Sequence, residues 1–75
     1  MQEPCIDNNC YNLTKQLSKT LEFLNHSLGY VRDAHESKNE DLEKIWQTII
    51  DDREKHAQML RNQLVHELQK IKIPN

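Results

Sequence analysis

Leu13, Leu17, Leu21, Leu24, Leu28 and Val31 recur at intervals of three and four residues, and this pattern decides most of what such a chain can fold into. Apolar side chains at that spacing line one stripe of an α-helix, because 3.6 residues complete a turn. A strand would need alternation, which is absent here. The stripe begins at Cys10 and ends at His35. In "HESKNEDLEK" it is interrupted by two helix-start signals: Ser37 with Glu40 fits a capping box, and Asn39 followed by Glu40 and Asp41 offers a second cap with acids in the first turn. A second apolar face then runs through Leu42, Ile45, Trp46, Ile49, Leu60, Leu64, Leu68 and Ile71 to "KIKIPN", where lysines and Pro74 suit a helix end. The expected fold is all-α, a single domain over residues 1–75. It is an antiparallel helical hairpin with one helix over about 10–35 and another over about 39–72, preceded by a polar segment, residues 1–9, that carries Cys5.

A turn near residue 37 sets level those positions whose numbers add to roughly 75, since both arms rise about 1.5 Å per residue. Gly29, the only glycine, then faces Trp46 and could leave room for the indole. Each arm also carries more apolar surface than the other can cover. Phe23, Tyr30 and Ala34 form a second strip on the first helix, and Ile50, Ala57, Leu68 and Met59 widen the face of the second. Packing two hairpins into a four-helix bundle would bury the excess. The expected partner is therefore another copy of the chain, in a homodimer or higher oligomer, or alternatively a helix of another protein. The interface would draw on Phe23, Tyr30, Ile49, Arg53, His56, Leu60, Leu64, Glu67 and Ile71.

Ten Lys and Arg against twelve Asp and Glu leave a net charge of −2, with no basic stripe to attract phosphate; nucleic acid is not an expected partner. No apolar run approaches the ~18 residues of a membrane span, and the opening "MQEPCIDNNC" has neither the basic nor the apolar region of a signal peptide. The expectation is a soluble, cytoplasmic protein. On that reading the sequons at Asn12 and Asn25 are chance matches, and Cys5 and Cys10 are free thiols in a reducing compartment. Two alternatives for the cysteines are a local disulfide and a metal clip of Cys5, Cys10 and His66, which the hairpin register would bring to one end.

The run "DDREKHAQMLR" after "LEKIWQTII" resembles the second helix of ferritin-like and rubrerythrin-like half-bundles, through His56, Ala57 and Leu60. The resemblance covers the second half of the chain. It implies a four-helix bundle built from two hairpins, and in that family a carboxylate three residues before the histidine helps bind iron or manganese. Here that position is Arg53, which has no lone pair for a metal. Asp52, one turn before His56, is the available substitute, and the leucine stripe of the first helix contains no carboxylate. The expected function is that of a small self-associating structural or interaction protein without a working di-metal site and without bound cofactor. The alternative is an iron- or manganese-binding protein, in storage or oxidase chemistry, with Asp52 and His56 contributed by two subunits. No catalytic residues stand out. An inward Arg53 needs a partner, and an antiparallel pairing of second helices crossing at Leu60 would supply Glu67 of the other chain.

Overall fold

The computed structural model describes residues 7–70, and among them the chain forms two helices, α1 (Asn8–Glu36) and α2 (Glu40–Gln69), packed against each other as a hairpin. The expected ends at Cys10 and His35 fall within two residues of those observed. Ile71, assigned to the interface above, lies outside the described residues, as does Cys5. The Asp7 carboxylate caps α1 by accepting from the Cys10 amide at 2.7 Å. Of the two start signals offered for α2, Asn39 is the one used: its side chain accepts from the Leu42 amide at 3.1 Å. Ser37 instead closes α1, its hydroxyl donating to the Ala34 carbonyl. Between them Lys38 takes a left-handed φ of 59°, which lets the Asn39 amide return to the Ala34 carbonyl at 2.9 Å. This is a helix C-terminal closure of the kind that more often uses glycine. Glu40, Asp41 and Glu43 then place negative charge in the first turn of α2, where the helix dipole favours it.

The seam between the helices follows the leucine stripe only in part. On α1 it runs through Cys10, Leu13, Leu17, Thr20, Leu24, Ser27, Val31 and Ala34, all buried or half-buried and alternating by three and four, with Phe23 and Gly29 half-buried beside it. On α2 the same alternation runs through Glu43, Trp46, Ile50, Arg53, Ala57, Leu60, Leu64 and Glu67, of which all but Arg53 are at least half-buried. A sustained seven-residue repeat of this kind is coiled-coil-like packing. Three members of the expected stripe, Leu21, Leu28 and His35, are exposed instead. The reason is drift: a spacing of three and four holds one side of a helix only when the threes and fours alternate, and the run 13, 17, 21 uses two fours and swings outward by about 40° per step.

The most buried seam residues are small: Cys10, Thr20, Ser27 and Ala34 on α1, with Ile50 opposite. Small side chains let the two backbones approach. The two hydroxyls carry no desolvation penalty, because Thr20 donates to the Gln16 carbonyl at 2.8 Å and Ser27 to the Leu24 carbonyl at 2.7 Å. Among the described residues no buried side-chain polar atom lacks a partner.

Gly29 does not make room for Trp46. A Cβ built there would meet nothing within 4 Å, and its φ is not positive. The glycine therefore contributes only backbone freedom to the unfolded chain, and Gly29→Ala is expected to stabilise the fold by about 0.5–1 kcal/mol. A rise of several degrees in thermal midpoint would show it; a fall would mean that the site is more crowded than its geometry indicates.

Candidate interaction surface

On one side of the seam the hairpin carries an aromatic cluster. The Tyr30 and Trp46 rings stand 4.9 Å apart, and Phe23 lies 5.8 Å from Tyr30 and 6.5 Å from Trp46. The Arg53 guanidinium sits over the Phe23 ring, 5.1 Å from its centre. Two level pairs, Tyr30 with Trp46 and Phe23 with Arg53, have numbers that add to 76, within one of the register expected from the turn. The same contact explains the arginine in an otherwise apolar pattern. Arg53 occupies a seam position but is exposed, and its head lies on an aromatic face, an arrangement in which a cation keeps its water.

The inward placement of Arg53 and His56 read from the sequence is thus corrected: both side chains are exposed. Glu67, the partner expected for Arg53 from another chain, has contacts of its own in the single hairpin. Glu67 is held within its own helix, accepting from the Gln63 amide at 2.8 Å and the Lys70 ammonium at 3.2 Å. Those bonds, Gln63 first, hold its pKa below the ordinary carboxylate value.

Beyond the aromatic cluster, toward the open end of the hairpin, the same side hollows into a groove of about 970 Å³. Leu13, Leu60 and Met59 give it an apolar lining, and Gln16, Thr20, Arg53, His56, Asn62, Gln63 and His66 complete it. No carboxylate is among these lining residues. The side is therefore divided lengthwise, with a ridge of Phe23, Tyr30 and Trp46 in the half nearer the turn and a groove in the other half. Large apolar groups are exposed in both halves, Ile45 at 53% and Met59 at 66%.

Of the interface residues expected from the sequence, Phe23, Tyr30, Arg53 and His56 belong to this side. Ile49 is half-buried on α2. Leu60, Leu64 and Glu67 are half-buried on the seam, with Leu60 also reaching the groove. Ala34, grouped with Phe23 and Tyr30 by its position on the helix, is buried between the helices. Sequence reasoning missed Gln16, Met59 and Gln63 as groove residues and Thr20, Ser27 and Ala34 as core. The legible signal for the core was the spacing of seven from Leu13 through Thr20, Ser27 and Ala34.

Asp52 and His56 are both exposed, and among the described residues no three His, Cys, Asp or Glu side chains gather where a metal could be held. Cys10 is almost fully buried and disulfide-bonded, which corrects the expected free thiol. A sulfur so engaged offers no thiolate to a metal, and Cys5, the other thiol of the suggested clip with His66, lies outside the described residues. His35 pairs with Glu43 across the turn at 3.3 Å. Among the described residues no helix is long and apolar enough to cross a membrane. Comparison with known protein families, with curated proteins and with solved structures returned no match, so the functional reading rests on the chemistry of this surface.

Proposed function

We propose that the protein is a structural or interaction module that self-associates, two hairpins joining along their ridge-and-groove sides into a four-helix bundle. The observation that carries this reading is the exposed apolar side of a two-helix unit whose own seam buries mainly small residues. Hairpin packing leaves Phe23, Tyr30 and Trp46 only partly covered and Ile45 and Met59 largely open. A contiguous apolar side of that kind marks a contact surface, because water gains entropy when it is covered. A chain of this length also gains stability that one seam supplies poorly.

Metal binding through Asp52 and His56 would need further ligands brought by assembly, and no contact in the hairpin favours it. A cytoplasmic location would call for Cys10 as a thiol, whereas its sulfur is bonded; a compartment that keeps disulfides oxidised suits the structure better.

The test is sedimentation equilibrium of the unaltered protein beside Ile45→Lys and Met59→Lys. Both positions are exposed, so neither change should disturb the hairpin, and circular dichroism would confirm retained helix. The expected result is a concentration-dependent dimer for the unaltered chain and monomers for both variants. A monomer at every concentration would sink the proposal and leave the surface to a helix of some other protein.

A further inference from the structure

We infer that the two copies lie antiparallel, the aromatic ridge of each seated in the groove of the other. The inference rests on the self-association proposed above and adds its geometry. Ridge and groove occupy opposite halves of the same side. α1 and α2 have nearly equal lengths, 29 and 30 residues. A two-fold axis across the middle of that side, near residues 22 and 55, therefore overlaps the hairpins end to end and places Trp46 of each copy level with Leu64 of the other. An axis along the helices would instead set ridge on ridge, leaving both grooves empty.

Charge points the same way. The open half, residues 7–20 and 57–70, holds Lys15, Lys19, Arg61 and Lys70 against Asp7 and Glu67, an excess of positive charge. The half bearing the turn, residues 21–56, holds nine Asp and Glu against five Lys and Arg. Each hairpin is thus acidic at its turn and basic at its open end, so antiparallel copies set opposite charges together and parallel copies set like charges together. Area suffices as well: helices about 45 Å long and two abreast present roughly 800 Å² per copy, which is what a stable dimer of standard size covers.

The experiment reverses charge at one end. Asp33 and Asp41 are exposed beside the turn; lysine is favoured near the end of α1 and disfavoured at the start of α2, so the effects of Asp33→Lys and Asp41→Lys on the helices largely offset. At low ionic strength the double variant is expected to dimerise about tenfold more weakly than the unaltered protein, with the difference shrinking in salt. An equimolar mixture with the Lys19→Glu, Lys70→Glu variant is expected to form a heterodimer tighter than either variant alone. Tighter or unchanged dimerisation of the Asp33→Lys, Asp41→Lys protein would overturn the antiparallel arrangement while leaving self-association intact, as would failure of the mixture to pair. An unaltered protein that stays monomeric would remove the proposed function itself.

Discussion

Replacing Ile50 with alanine is expected to cost the fold about 2–4 kcal/mol, the range for removing a buried branched side chain and leaving part of its space empty. Ile50 is the one large aliphatic side chain among the described residues that is fully within the core, 8% exposed against a seam whose other buried members are Cys10, Thr20, Ser27 and Ala34. By the register, Ile50 is level with residue 26, and buried Ser27 beside it ends one atom beyond Cβ and cannot swing in to fill the gap. A domain of this length holds roughly 4–10 kcal/mol in total, so the loss would be a large share of it. The measurement is a thermal melt followed by circular dichroism, at one protein concentration, because association would itself raise the midpoint. A drop of at least about 10 °C is expected. A shift of only a degree or two would mean that the seam does not centre on Ile50.

Ser27→Leu is expected to destabilise by about 1–3 kcal/mol, although it adds apolar bulk to a helix whose leucines look like its core. Ser27 is 3% exposed, so little space is open to a larger side chain there. A leucine there must push the helices apart or leave its preferred rotamer. Its neighbour makes the contrast: Leu28 is 73% exposed, so Leu28→Lys is expected to change stability by no more than about 0.5 kcal/mol. Were the leucine stripe the true seam, the two results would be exchanged, with Leu28→Lys the severe change and Ser27→Leu mild or stabilising. Melting the two variants side by side therefore decides which face of α1 meets α2.

The fold class, the hairpin and its register were legible because each depends on local chemistry that a single chain displays. Helical spacing, the caps around residues 37–39 and the absence of further turn signals lead to two helices, and two equal rises from one turn fix which residues lie level. Tyr30 beside Trp46 and Phe23 beside Arg53 follow from that arithmetic to within one residue. The candidate surface was legible in outline, through Phe23, Tyr30, Arg53 and His56, but its division into ridge and groove was not.

What only the tertiary structure decided was rotation. Periodicity shows that α1 has an apolar side without saying how far the helix turns about its own axis once another helix approaches. Here Thr20, Ser27 and Ala34 are buried while Leu21 and Leu28 are exposed, and the two hydroxyls are bonded within the helix; small side chains allow tighter helix contact than leucines would. Arg53, an apparent core charge, keeps a seam position on α2 yet is exposed, its guanidinium over the Phe23 ring. Cys10, already placed at the start of the stripe by its spacing, is buried there, and its disulfide bond is what the structure adds. Sequence determined the elements and their levels because those are properties of one helix at a time; the facing surfaces depend on what each helix meets, and that is settled only when both are packed.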